Sequence, residues 1–471
     1  MIMWKADRPR LRQNSTFMRR FLFFAGLACL AVLFGLLLHG ADATNQAKLI
    51  VLDPGHFHAS LIQEDMYPSL AKQVSVYAPL GPDALDYLQR IERFNTRKEN
   101  PTSWEIDLHT GPDFFERMLR ERPGNLVIIS GRNRPKIDRI VGSVEAGLNV
   151  LADKPWIIRS ADLPKVERAL DDAQAKHLVA YDIMTERYEI ASILQRELVD
   201  DADVFGKLIA GSDSEPGISA KSVHHLMKVV AGAPLRRPAW FFDVAETGEG
   251  LADVGTHVVD LVQWTAFPGE MDYRTDVHVL GGRHWPTVIS QADFQRVTGE
   301  PEFPRFLAGR VKDGKLEYYC NNSVHYTVRG VYVKLDILWN WQAPEGSGDT
   351  YEAVFRGTKA RVEIRQGTTE RYIPEVYVVP GSAALRSQVF AALKRKVDAL
   401  QRVYPGVAVA ESAGEAHVVI PKHLRSDREH FADVTNKFFE YLKSPQTVPE
   451  WEKTNMLVKY YVTTKGVEAA Q

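Results

Sequence analysis

Val150-Leu151-Ala152-Asp153-Lys154-Pro155-Trp156 decides how the first half of the chain is read. A short apolar run ends on an acid, a lysine and a proline, just after Gly147 closes a helical pattern. It reads as a buried strand whose C-terminal end carries polar side chains. In an open parallel sheet, ligands bind at that end. The cis or kinked geometry that proline allows would fix where the Lys154 stem points. The plainer reading is a surface lysine at a strand–loop junction.

The same rhythm extends to both sides. Lys48–Leu52, Gln73–Tyr77, Asn125–Ser130, Asn149–Ala152 and Leu178–Ile183 read as strands, with Asn125–Ser130 the third. Pro82–Phe94, Pro112–Arg122, Pro135–Ala146 and Asp162–Lys176 read as helices, the last with Ser160 as N-cap. Such alternation predicts an α/β chain with a Rossmann, doubly wound parallel sheet over 46–184. A long helix at Glu186–Val199 then opens a different pattern. Val331, Val333, Leu335, Ile337, Trp339 and Trp341 alternate with more polar neighbours, as in a half-buried antiparallel strand. Tyr351–Phe355 and Arg361–Ile364 form a hairpin around Gly357-Thr358-Lys359. Asp276–Leu280 and Glu375–Val379 add strands, and Arg428–Leu442 is an amphipathic helix. Residues 185–471 are therefore expected to be an α+β substrate and oligomerisation domain with an open, mainly antiparallel sheet.

The chain has 471 residues and a formal charge of −2, long enough for two domains and without the basic footprint of a nucleic-acid binder. Its two cysteines, Cys29 and Cys320, offer no cysteine zinc cluster. Residues 1–43 read as an export signal or a membrane anchor: Arg19-Arg20 precede the uncharged Phe21–Leu38, and Ala41-Asp42-Ala43 offers a cleavage site. The expected location is periplasmic or otherwise extracytoplasmic. The arginine pair also suits a twin-arginine signal, which carries folded proteins with cofactor bound.

The turn after the first strand, Asp53-Pro54-Gly55-His56-Phe57-His58, stands where a dinucleotide fold carries Gly-x-Gly-x-x-Gly. Gly55 keeps the middle glycine, while Asp53 and His58 replace the others. A carboxylate at 53 would repel phosphate unless turned away or neutralised. No acid ends the second strand to hold a ribose, and Asp83 comes several residues later. Ser130-Gly131-Arg132-Asn133-Arg134 follows the next strand, where Arg132 or Arg134 would meet phosphate or simply face solvent.

Asp253 and His257, spaced i, i+4 among Gly248, Gly250 and Gly255, share one face of a helix. Imidazole is suited to take an alcohol proton near neutral pH, and a neighbouring carboxylate orients it. The plainer reading is a capping Asp and a surface His. His224, His225 and Lys228 form another polar cluster, although adjacent histidines are expected to point apart. Trp240, Phe241 and Phe242 suit either a sugar face or a core patch.

With these residues in hand, the chain resembles the glucose–fructose oxidoreductase and inositol dehydrogenase family, Gfo/Idh/MocA, from about Lys48 to the C-terminal helix. Val144-Glu145-Ala146-Gly147-Leu148-Asn149-Val150-Leu151-Ala152-Asp153-Lys154-Pro155 resembles its A-G-K-H-V-x-x-E-K-P signature, with Asp153 for Glu. Gly250-Leu251-Ala252-Asp253-Val254-Gly255-Thr256-His257-Val258-Val259-Asp260 is similar to its G-x-L-x-D-x-G-x-H-x-x-D signature, and Gly55-His56-Phe57-His58-Ala59 to a minor form of its phosphate turn. The resemblance implies NAD or NADP, retained tightly if the protein is exported, and sugars, cyclitols or related alcohols and ketones as substrates. It implies Lys154, Asp253 and His257 as catalytic residues. Gly55, His56, Phe57, His58, Ser130, Arg132, Asn133, Asp153, Lys154 and Pro155 would line the cofactor, with no metal ligand.

Competing readings are a non-catalytic ligand-binding protein on the same fold and an NAD-dependent glycosidase. A third is a zinc amidase, suggested by Leu52-Asp53-Pro54-Gly55-His56 with Glu64. The amidase lacks a following S-x-H-x-N segment. The expected partner is a small carbohydrate-like molecule, with no nucleic acid, membrane contact only through residues 21–38, and the open sheet available to a second copy.

Overall fold

A computed structural model describes residues 46–230, 233–234, 236–426 and 430–471. The expected export segment, its expected cleavage site and Cys29 lie outside the described residues. No helix among the described residues is long and apolar enough to cross a membrane. Of the described residues, Gln46–Ala47 with Tyr67–Ala71 form one unit and those of Lys48–Met66 with Lys72–Gln471 the other. In the first, Ala47 N–H donates to Ser69 O (2.8 Å) and Gln46 Nε2 to Pro68 O (2.9 Å).

The second unit holds the two large sheets, apart from Ala47, Leu70 and Ala71. Six strands, β1 (Ala47–Leu52), β2 (Leu70–Ala78), β3 (Glu105–Thr110), β4 (Leu126–Ile129), β5 (Asn149–Ala152) and β6 (Ala180–Asp182), lie in the order β3-β2-β1-β4-β5-β6. Every pair with a described register is parallel. This is the doubly wound Rossmann order, whose switch point lies between β1 and β4. The β1, β4 and β5 side chains are buried on both faces, which explains their unbroken Leu/Ile/Val runs.

The sequence reading missed β3, so Leu126–Ile129 is the fourth strand rather than the third. Glu105–Thr110 is polar and half-exposed at the sheet edge, held by its ladder to β2 rather than by an apolar face. The expected Ser160 cap is also absent. Ser160 Oγ donates to Glu468 (2.8 Å), and the helix Leu163–Ala175 starts after a 3₁₀ turn with no side-chain cap. Glu186–Val199 is not one helix. A 3₁₀ turn, Thr185–Tyr188, precedes the helix Ile190–Val199, and Glu189 accepts the Ala191 N–H as its cap.

The ten-stranded second sheet is antiparallel except where β7 (Ile218–Met227) runs parallel to Val331–Gln342. The remaining strands with a described register pair antiparallel, including the hairpin Thr350–Arg356 with Ala360–Gln366. Val333, Leu335, Ile337 and Trp339 are buried as their alternation predicts.

The helix Phe431–Lys443 matches the expected amphipathic one, apart from residues 427–429, which are not described. A further helix, Glu450–Glu468, left no sequence signal. Met456, Leu457 and Tyr460 join the core of the parallel sheet, whereas Val458, Val462 and Val467 join that of the large sheet. A helix buried on nearly every side shows no apolar stripe.

That helix also carries charge into the core. Lys459 is fully buried, with Nζ 2.6 Å from Asp182 and 3.2 Å from Asp260. Arg187 clasps Asp260 through Nε (2.6 Å) and Nη2 (2.7 Å), and reaches Glu452 through Nη1 (2.7 Å). Burial would lift Asp260, but Arg187 and Lys459 outweigh it and hold its carboxyl at about 2.

Candidate active site

The β1, β4 and β5 strand ends deliver Asp53, Ser130 and Asp153 to one edge of the sheet. Asp53 takes the left-handed backbone conformation (φ 49°) that the first glycine of a phosphate turn would supply. Aspartate tolerates this region better than most residues. Its buried carboxylate ion-pairs with Arg139, so the repulsion expected from the sequence is neutralised. Gly131 crosses directly over Asp53, and any Cβ there would overlap it.

The turn differs from a dinucleotide cradle in other respects. Gly55 N–H donates to Asp53 O (2.8 Å) and His56 N–H to Ser130 O (2.8 Å), so neither amide is open to a phosphate. The helix that follows, His58–Leu61, is a single turn. Trp240 lies over Gly55, 3.1 Å from where a Cβ would project. Its indole N–H donates to Asp83 (2.9 Å), and the Arg132 guanidinium lies 5.4 Å from the ring centroid. Arg132 therefore meets an aromatic face, and Arg134 lies 3.6 Å from Glu246. Asn133 donates to Thr247 O (2.7 Å) and accepts from Lys136 (2.7 Å). The buried Ser130 Oγ has no hydrogen-bond partner among the described residues.

His56 and His58 converge on Asp153. His56 Nδ1 lies 2.7 Å from Oδ2 and His58 Nδ1 3.0 Å from Oδ1. Phe57 packs against both rings, with its centroid 4.4 Å from that of His56 and 4.6 Å, edge-on, from that of His58. Lys136, fully buried, donates to the Asp153 backbone carbonyl (3.0 Å), and burial pushes its amine down to about 8.

The Lys154–Pro155 peptide is cis. Lys154 Nζ lies 2.5 Å from Asp253 Oδ1, a contact between residues 99 apart in sequence. Burial would raise Asp253, but the Lys154 ammonium holds it at about 2. Asp253 ends the short helix Gly250–Asp253, and His257 lies in the next, Gly255–Ala266. The sheet fixes this segment. Asn322 Oδ1 accepts the Leu251 N–H (2.8 Å), Asn322 Nδ2 donates to Glu249 (2.7 Å), and His284 bonds the other Glu249 oxygen (3.0 Å). Gly250 lies so close to the Cys320 carbonyl that a side chain would overlap it. Glu249, His284, Asn322 and Arg139 were not legible in the sequence, because their partners lie 35 to 86 residues away.

His257 Nδ1 is buried and has no hydrogen-bond partner among the described residues. Burial and the Lys154 ammonium push this imidazole down to about 3 from 6.5. Between those values the unfolded chain binds the additional proton. The stability linked to this ring is complete above 6.5 and drains away as the pH falls toward 3. At about pH 5 the loss is about 2 kcal/mol. His257→Asn should therefore show a shallower fall in urea midpoint on acidification than the parent chain, and parallel curves would rule the shift out.

His224 and His225 do not point to separate partners. His224 Nδ1 lies 3.2 Å and His225 Nδ1 3.0 Å from Asp349, which Lys228 also reaches (2.9 Å). The antiparallel register pairs Val223 with Thr350, so Asp349 falls opposite His224 and diagonal to His225. Phe242 is core, Phe241 packs at Trp339 (6.1 Å between centroids), and only Trp240 reaches the parallel sheet's edge.

The family model described as "Putative oxidoreductase C terminal domain" matches residues 194–471. A "putative oxidoreductase" of known structure from Parabacteroides merdae ATCC 43184 is 44% identical, with 90% of this chain and 98% of that one covered and a TM-score of 0.87. GenD2 from gentamicin A biosynthesis, solved in complex with NAD, shares the fold at 12% identity, with 90% and 94% covered and a TM-score of 0.53. KijD10, a 3-ketoreductase from Actinomadura kijaniata solved with TDP-benzene and NADP, does so at 14%, with 90% and 97% covered and a TM-score of 0.51. No curated protein matches. The chain belongs to the oxidoreductase family that this C-terminal domain defines.

Proposed function

We propose that the protein is an NAD(P)-dependent oxidoreductase of the Gfo/Idh/MocA type, acting on a hydroxyl or carbonyl carbon of a sugar, cyclitol or related molecule. The observation that carries this reading is the Lys154–Asp253 ion pair, with His257 four residues along the same segment, at the ligand-binding end of a Rossmann sheet. The fold neighbours solved with NAD and NADP support the cofactor, and the 3-ketoreductase among them supports alcohol–ketone chemistry. When bound, a nicotinamide supplies or accepts the hydride.

The chain's own residues handle the proton. His257 is uncharged and takes the hydroxyl proton rather than holding one of its own. The Lys154 ammonium holds the substrate oxygen, and Asp253 keeps that ammonium charged and aimed. Residues 46–184 would hold the dinucleotide, with Gly55–His58, Ser130, Arg132, Asn133 and Asp153–Pro155 along its wall, and 185–471 would shape the substrate pocket. The orphaned Nδ1 of His257 fits a reacting hydroxyl there. At the diphosphate end the turn fits only once Trp240 has left Gly55. Residues 1–43 would export the enzyme, which then needs a cofactor that stays bound.

Mass spectrometry of nucleotide released on denaturing protein from its native compartment tests this reading. NAD(H) or NADP(H) near one per chain is expected. The covered turn favours a second reading, ligand binding without turnover, which expects no nucleotide and no effect of replacing His257. Trp240→Ala should tighten NAD binding about three- to tenfold by calorimetry, because no indole has to be displaced. Weaker binding would mean that the indole stacks on the cofactor instead.

A further inference from the structure

We infer that His56, His58 and Asp153 form a binding site for one divalent transition-metal ion, of the class that imidazole and carboxylate share: zinc, iron(II), cobalt(II) or manganese(II). The two imidazole nitrogens and a carboxylate oxygen lie within 4.8 Å of one another. His56 Nδ1 and His58 Nδ1 approach the two Asp153 oxygens to 2.7 and 3.0 Å. A bound ion would take the place of the Nδ1 protons in these two contacts and leave the ring protons on Nε2, so that both Nδ1 lone pairs and the carboxylate meet it. Two nitrogens and one oxygen suit these metals, whereas magnesium and calcium favour oxygen alone. Three protein donors leave at least one position open, as in catalytic rather than structural zinc sites.

The donors are held before any ion arrives. His56 N–H is tied to Ser130 O (2.8 Å), Asp153 N–H to Ile129 O (2.8 Å), and Lys136 clamps the Asp153 carbonyl (3.0 Å). Asp153 and His58 are buried, at 2% and 8% exposure, so neither must be drawn out of solvent. The adjacent Lys154 charge is balanced by Asp253 rather than left to oppose a cation. The exchange of a phosphate-turn glycine for His58, unexplained by dinucleotide binding, gains a role as a ligand. The inference does not rest on the oxidoreductase reading, because the donors are side chains rather than turn amides.

The test uses the full chain, stripped with chelator, incubated with Zn²⁺ and desalted, with bound zinc measured by mass spectrometry. About one equivalent is expected. The His56→Ala/His58→Ala variant should lose affinity at least about tenfold, and His224→Ala/His225→Ala should keep it. Should the double variant fail to fold, Co²⁺ added to the parent chain gives a second readout: visible bands of a four- or five-coordinate nitrogen–oxygen site, abolished in Asp153→Asn. A parent chain that takes up no zinc, or equal uptake by a folded double variant, overturns the inference. Released nucleotide is measured on the same samples. Metal without nucleotide upholds this site and defeats the oxidoreductase reading, and nucleotide without metal does the reverse.

Discussion

If the protein carries out the proposed oxidation, His257→Ala is expected to lower its kcat/KM about a thousandfold, read from nicotinamide absorbance in a stopped-flow instrument. The variant removes the uncharged ring placed to take the hydroxyl proton. Lys154→Ala should cost at least as much, because it removes the ammonium proposed to hold the substrate oxygen and leaves the half-buried Asp253 without its ion-pair partner. The two losses should not add, since the residues act on one transition state. Near-ultraviolet circular dichroism should match the parent chain in both variants. Undiminished turnover in a folded variant would remove that residue from the mechanism.

Lys459→Met is expected to destabilise the protein by about 3–5 kcal/mol. Methionine nearly keeps the volume, so the experiment isolates the charge. Without the ammonium, Asp182 and Asp260 are both buried with one cation fewer, and Arg187 alone is left to balance Asp260. Asp182 closes β6, Asp260 lies one turn beyond His257 on the same helix, and Lys459 comes from the C-terminal helix. The loss should therefore appear as a lower urea midpoint for both sheets together. Adding Asp182→Asn should recover part of it by removing the stranded charge. A change below about 1 kcal/mol would show that the network contributes little.

Most strands of the parallel sheet and half of those described in the larger one were legible because burial on two faces writes an unbroken apolar run, and burial on one face writes an alternation. Asn149–Ala152 and Val331–Gln342 are those two cases. The edge strand Glu105–Thr110 shows neither pattern, so only its ladder with β2 reveals it. The i, i+4 spacing of Asp253 and His257 placed them on one segment. Nothing local could pair Asp253 with Lys154, or seat Asp349 between two neighbouring histidines.

By itself the sequence determined the strand and helix rhythm, the Rossmann class and the polar residues carried to the strand ends, because these follow from periods of two and of about 3.6 residues and from turn chemistry. Only the tertiary structure decided that Arg139 neutralises Asp53, that Trp240 covers Gly55, that two imidazoles meet at Asp153, and that the last helix joins the cores of both sheets. Each of these depends on partners brought together from distant parts of the chain. A helix surrounded on all sides has no solvent face to impress a period on its sequence.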